Sequence, residues 1–553
     1  MARTDPRWAP EPELKLKACK VRTQTSLRTF SLSSLHIQPL LCLPVRLVLL
    51  AAFVEMVVCG PPQPASPPLL SGQPFIIFWG IRDSSCSRRP DLRSFGMERE
   101  GRVAAFYEDT LGKYPYFLDQ DTPVNRGLPQ HTRLDDHLQK TQQDIEAALP
   151  APRYLGLGVL FWAEWAPQWA RTGPKQEIYL EASRALLKTF FPNWTPEEVE
   201  KWSQVDFEAA AQSVMMETLQ EVKRLRPKAL WGVSPYPRCN NGNPGQTLLA
   251  NYTGRCPTVE MALNDELVWL WKRCSALYPL LTLEKLQGGT SGTRLYLSNQ
   301  IREALRVASV PGVAYDLPVF PLVKSVYTST NTFISQTDLV NTIGESAAMG
   351  TAGVVIWERS ETRTERECQD LAEFVRTVLG PYSINVTKAA RLCSASLCQG
   401  KGRCIRQNPE SSTYLHIPPQ SPVLSKAQTD ATETETKPPE PDTAEIWKRD
   451  FQCQWFQMLD GDVLVQQSPK DGVSAGEKLG ENSSNTRKTT ITSTTGLTSN
   501  GASVKEFILS STPRTRSPKD APDVPMGGST KSPSVSHLTA AVCLLAGILY
   551  LQP

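Results

Sequence analysis

Leu155-Gly-Leu-Gly-Val-Leu-Phe161 is an uncharged, almost wholly apolar run, and at seven residues it has the length of a strand rather than a helix. A strand that is apolar on both faces belongs to a parallel sheet covered by helices. The neighbouring chain repeats the pattern, with apolar runs at 75–79, 103–107, 230–234, 280–283, 317–323 and 353–357. Between most of them lie stretches with helical apolar spacing, at 135–149, 176–191, 207–225, 264–274, 297–308 and 366–379. Seven strands alternating with helices predict an α/β fold over residues 74–390, closed into a barrel rather than left as an open sheet. Chemistry in such a barrel sits at the C-terminal ends of the strands, so the residues around Phe161 stand at the mouth.

The chain has 553 residues, enough for one large domain with appendages. Its 13 Trp and 17 Phe can fill a sizeable core, and a net charge of +3 gives no footing for nucleic acid as a partner. The 13 Cys sort by position. Cys19, Cys42 and Cys59 lie in or before an apolar leader, and Cys543 lies in an apolar tail. The nine between them predict four disulfides and one free thiol in an oxidising compartment. Cys274, inside a run with helical spacing, is the candidate for the unpaired, buried and inert one.

Residues 1–60 read as a leader holding a signal peptide, its apolar part at 47–58 preceded by Lys15, Lys17, Lys20, Arg22 and Arg28. At the far end, Gly527, Gly528 and Ser529 are followed by a polar spacer and an uncharged apolar stretch at 538–551. That order is the signal for a glycosylphosphatidylinositol anchor, with 529–553 as the exchanged tail. It predicts a route through the secretory pathway to the cell surface, with the membrane reached through lipid. Asn193, Asn251, Asn385 and Asn482 head Asn-X-Ser/Thr acceptors for N-glycans. Residues 426–445 and 466–536 are rich in Thr, Ser and Pro, a composition too poor in apolar surface to offset chain entropy. The part from 466 to 528 reads as an O-glycosylated stalk.

A family emerges from the motifs taken in order: Gly127-Leu-Pro-Gln130, Trp162 with Glu164-Trp165, Leu230-Trp-Gly232, Asn251-Tyr-Thr-Gly-Arg-Cys256, Asn264-Asp-Glu-Leu-Val-Trp-Leu-Trp271, Gly344-Glu-Ser-Ala-Ala348 and Ala352-Gly-Val-Val-Ile-Trp357. Over residues 74–455 the chain resembles the vertebrate hyaluronidases, close to the lipid-anchored members. The resemblance implies a distorted TIM-like (β/α) barrel followed by a small module similar to epidermal growth factor, here 391–465 with an insertion. It also implies the disulfides Cys86–Cys368, Cys239–Cys256, Cys393–Cys404 and Cys398–Cys453. Trp455 and Leu464 stand where the family has a third pair in that module, so both partners are gone together. No cofactor or metal is implied.

Members of this family hydrolyse hyaluronan, and some chondroitin, with help from the substrate's own acetamido group, an exception to the two-carboxylate scheme. One Glu protonates the leaving oxygen and one Asp orients the acetamide. The family pattern at the third strand is Asp-Trp-Glu-Glu-Trp-Arg-Pro, whereas this chain reads Phe161-Trp-Ala-Glu-Trp-Ala-Pro167. Phe161 replaces the Asp and Ala163 the acid Glu. Strand alternation would turn Glu164 away from a cleft faced by Phe161 and Ala163. Ser234, Thr282 and Thr328 replace sugar-contacting residues of the family, while Tyr107 and Trp357 remain as substrate-binding candidates at strand ends. The expectation is a catalytically impaired family member that binds glycosaminoglycan or takes part in cell interaction. The alternatives are an active hyaluronidase with a displaced acid, Glu164 or Asp265, and a decayed gene copy with no selected role.

Overall fold

The computed structural model describes residues 62–457, apart from 83–84, 88, 245–251, 313–314, 329, 360–362 and 419–440. The leader, the stalk, the anchor signal with Gly527, Gly528 and Ser529, the acceptors Asn251 and Asn482, and Leu464 lie outside the described residues.

Seven parallel strands lie where the apolar runs predict them: β1 (Ile76–Trp79), β2 (Val103–Phe106), β3 (Leu157–Phe161), β4 (Leu230–Ser234), β5 (Leu280–Leu281), β6 (Leu322–Val323) and β7 (Gly353–Ile356). They form two arcs, β1-β7-β6-β5 and β2-β3-β4. The arcs approach each other where Trp79 donates to the Glu98 carbonyl and where Ser275 and Ala276 donate to Trp231 O. β6 is shorter than its apolar run because Pro318 and Pro321 have no N–H for the ladder. Isolated bonds such as Leu277 N to Pro318 O and Leu322 N to Pro279 O carry the pairing past them.

Alternate strand residues fill the barrel interior. Ile76 and Phe78, Leu157, Val159 and Phe161, Phe320 and Leu322, and Val355 with Trp357 form one buried cluster along its axis. The opposite faces pack on helices, as with Leu160 and Trp231 against Phe207, Val214 and Leu219. A helix shell is therefore a requirement of the sequence, since neither strand face can meet water.

The helices depart from expectation at three places. The helix expected at 207–225 begins at Pro196 and runs 30 residues. Thr195 caps it reciprocally with Glu198, but its early buried stripe is only Val199 and Ser203, too polar to register as apolar spacing. The stretch expected at 264–274 divides into Thr258–Glu266 and Val268–Trp271. The helix expected to stop near 379 instead passes through a wide turn at Val375–Leu379 and continues as Gly380–Cys398. Pro381 can sit there because the widened turn relieves the carbonyl that its ring would meet.

The expected module boundary between 390 and 391 thus falls inside a helix. Beyond it, strands Gly402–Arg406 and Phe451–Trp455 pair antiparallel with Cys404 opposite Cys453. Helix Pro441–Asp450 includes the last residues of the stretch expected to lack structure, and its Trp447 is buried with Phe451 in the same core as Ile77 and Ile356. Arg406 pairs with Glu345, both side chains almost fully buried, and Arg403 donates to Gly350 O at 2.8 Å. All four implied disulfides are present. Cys274 is buried and unpaired, and burial pushes its thiol up to about 12, which keeps it unreactive.

Candidate functional site

The strand ends converge as the barrel requires, with Tyr107 after β2, Phe161 and Ser234 ending β3 and β4, and Trp357 after β7. Tyr107 is held by a tight turn, its N–H donating to Thr110 Oγ1 at 2.6 Å and Thr110 N–H donating back to its carbonyl. The Trp357 indole N–H donates to Tyr107 Oη at 2.9 Å. Phe161 enters this pair: its ring stacks on Trp357 at 4.5 Å between centroids and lies 5.8 Å from Tyr107. All three side chains are buried. Phe161 fills the space beside Tyr107 and Trp357, the two substrate-binding candidates at strand ends.

Trp162 and Trp165 turn outward from the barrel axis into the helix shell, where Tyr114 stacks on Trp165 and Trp165 donates to Pro115 O at 2.8 Å. These contacts lock the register of the 161–167 stretch. Gln176 then clamps the chain after β3, its amide donating to the carbonyls of Ala163 and Glu164.

β3 ends at Phe161, so strand geometry does not extend to position 164, and Glu164 lines the same groove as Ala163. That groove has a volume of about 950 Å³ and also carries Asp119, Lys175 and Glu177. Glu164 is half-buried; burial, then the nearby Glu108, raise its carboxyl above the usual range, while Arg359 pulls it back. The other candidate acid, Asp265, is largely exposed on helix Thr258–Glu266 and paired with Arg306 at 2.8 Å, on a helix rather than at a strand end.

Charged groups that sequence reasoning missed surround the aromatic trio. Arg359 lies 4.9 Å over the Tyr107 ring and pairs with the buried Glu108. Lys324 lies 5.8 Å over the Trp357 ring, and Glu358 is held by Arg363 and the Ser325 hydroxyl. The signal for Glu108, Lys324, Glu358 and Arg359 was positional: each sits one or two residues from a strand-end aromatic or strand terminus. Ser234 is fully buried and Thr282 half-buried; the Ser234 and Thr328 hydroxyls make no hydrogen bond among the described residues. No group of three or more metal-ligating side chains occurs among the described residues.

Of the described glycan acceptors, Asn193 is exposed. Asn385 is half-buried, and its amide donates to Ile417 O at 2.8 Å and accepts from Ile417 N at 2.9 Å.

The family model described as hyaluronidase matches residues 64–468. Hyaluronidase-2 of Mus musculus is 38% identical over 383 residues, covering 67% of this chain and 81% of that protein. Hyaluronidase-1 of Homo sapiens is 40% identical over 366 residues, covering 64% and 83%. Among solved structures, bee venom hyaluronidase in complex with a hyaluronic acid tetramer aligns with a TM-score of 0.51 at 27% identity, over 56% of this chain and 98% of that one.

Proposed function

This chain belongs to the hyaluronidase family, and we propose that it is a catalytically impaired member that binds a glycosaminoglycan, hyaluronan or chondroitin, or mediates cell interaction at the cell surface. The observation that carries this is Phe161 stacked on Trp357 at 4.5 Å, with Ala163 two residues on. The positions that resemble the family's orienting Asp and acid Glu hold a ring and a methyl group. Loss of a general acid alone costs about 10²–10⁴ in rate. A phenyl ring in place of the Asp also takes the volume an acetamido group would need. The four disulfides fit an oxidising, extracellular compartment. Attachment through a lipid at 527–529 completes the proposal, and release from cells by phosphatidylinositol-specific phospholipase C tests it.

A second reading has its own support. Glu164 lines the groove beside Ala163, and its raised carboxyl would hold a proton better than an exposed Glu. In that reading Glu164 is a displaced acid in an active hyaluronidase. A turbidity or zymogram assay of the purified ectodomain on hyaluronan and chondroitin separates the two. Absence of cleavage together with retention on a hyaluronan or chondroitin matrix supports the first. Turnover that Glu164→Gln abolishes establishes the second.

A further inference from the structure

We propose that Asn193 carries an N-glycan whose first sugar lies on the Phe191 ring and covers an aromatic patch at the tip of the hairpin formed by helices Glu177–Phe190 and Pro196–Leu225. The proposal depends on export of the chain and not on whether its cleft is active.

Four of the ten large apolar side chains exposed among the described residues lie in this hairpin. Phe190 is 67% exposed, Phe191 42%, Trp202 43% and Val205 48%. Such a surface on a soluble domain calls for an occupant. Its geometry is rigid. Trp194 N–H donates to Phe191 O at 3.2 Å, closing a turn with Pro192 and Asn193 at its two central positions. Phe191 and Trp194, the first and last residues of that turn, stack at 3.9 Å with planes 5° apart. Trp202 lies 6.4 Å beyond Trp194. Lys188 donates to the Trp194 carbonyl at 2.7 Å and holds the turn against the preceding helix.

Asn193 stands at the apex of this turn, exposed, as the acceptor of Asn193-Trp-Thr195. One Phe191 face is taken by Trp194, while the residue as a whole remains two-fifths exposed. An N-acetylglucosamine linked to Asn193 presents a face of axial C–H groups, which pack on an aromatic face. In the modification, Asn193 Nδ2 attacks C1 of the first sugar of a lipid-linked oligosaccharide. The N–C1 bond forms, the C1–O bond to the lipid diphosphate breaks with its electron pair leaving on the diphosphate, and the amide proton passes to a transferase base. Thr195 Oγ1 also accepts from Glu198 N–H as the helix cap, so the acceptor hydroxyl and the cap are one group.

The experiment uses the full chain secreted by cells whose glycans are held in the high-mannose form. Peptide mass spectrometry should find Asn193 occupied on most copies; an unoccupied Asn193 overturns the proposal. The folded protein is then divided. Endoglycosidase H leaves the first sugar in place, and peptide N-glycosidase removes it. Hydrophobic-dye fluorescence should rise only after the second treatment. The Asn193→Gln variant, which keeps the Thr195 cap, should show the high signal from the start. Equal dye binding after both treatments of the wild-type chain would show that the sugar does not lie on the patch, and that arm needs no variant to fold.

Discussion

The Phe161 ring lies face to face with the Trp357 indole, 4.5 Å between centroids and 20° between planes, while Trp357 donates its indole N–H to Tyr107. Three strand ends are joined in one buried unit by a side chain that stands where the family resemblance places a carboxylate. Position 161 therefore carries no charge, and its ring packs against the two neighbouring aromatics. An Asp there would need a hydrogen-bonding or charged partner in a low-dielectric pocket; Phe needs only the apolar faces that Tyr107 and Trp357 already offer.

On the proposed impaired reading, the unmodified ectodomain should show no detectable cleavage of hyaluronan from about pH 3 to about pH 8, because positions 161 and 163 carry no carboxylate to act as a general acid. The double change Phe161→Asp with Ala163→Glu should restore at most weak activity. Ser234, Thr282 and Thr328 would still leave the sugar loosely held, which alone can cost about 10²-fold. Adding Ser234→Tyr should raise the rate further. A zymogram series across these variants checks the order, and robust turnover by the unmodified chain would refute it.

Phe161→Ala should separate stability from binding. Removing the buried ring leaves a cavity between Tyr107 and Trp357 at a cost of about 3 kcal/mol, read from denaturant unfolding. The same cavity frees the Trp357 face, so titration calorimetry should detect tighter binding of a hyaluronan tetrasaccharide than to the unmodified chain. Unchanged affinity would mean that the ring does not limit access.

Acid should destabilise the fold through His137. Burial lowers its ring from 6.5 to about 4, while Nδ1 accepts from Lys113 N–H at 2.9 Å and Nε2 bonds Thr218 Oγ1 at 2.8 Å. Between those values the unfolded chain binds the extra proton, so stability falls as pH drops below 6.5 and the loss levels off below about 4. At ~1.4 kcal/mol per pKa unit the loss is roughly 3 kcal/mol. Calorimetric Tm against pH should show it, and His137→Gln should flatten that part of the curve.

Mass mapping of the secreted chain should recover Cys86–Cys368 and Cys239–Cys256, with Cys274 alkylated only after denaturation. Cys86 and Cys368 are 282 residues apart, and closing so long a loop is worth about 5 kcal/mol in the chain-entropy model. The Cys86→Ser, Cys368→Ser pair should therefore secrete poorly or melt early. Labelling of Cys274 in the native protein would contradict its burial.

The strands were legible in the sequence because each is buried on both faces and reads as a continuous apolar run. Helix limits were less so. Ser203 and Thr218 interrupt the apolar stripe of Pro196–Leu225 while remaining buried, and Gly380-Pro381 reads as a stop where the helix only widens. The orientation of Glu164 was not legible for a related reason: alternation holds only while the chain stays extended, and β3 ends three residues before it.

By itself the sequence determined the barrel, the odd cysteine and the absence of carboxylates at positions 161 and 163, because periodicity, parity and residue identity are local properties of the chain. Tertiary structure alone decided what occupies the site instead. Trp357 and Tyr107 are 250 residues apart, after β7 in one arc and β2 in the other, and meet only when the two arcs come together. That meeting sets Phe161 beside them both, and the apolar faces of the two aromatics give its ring its place.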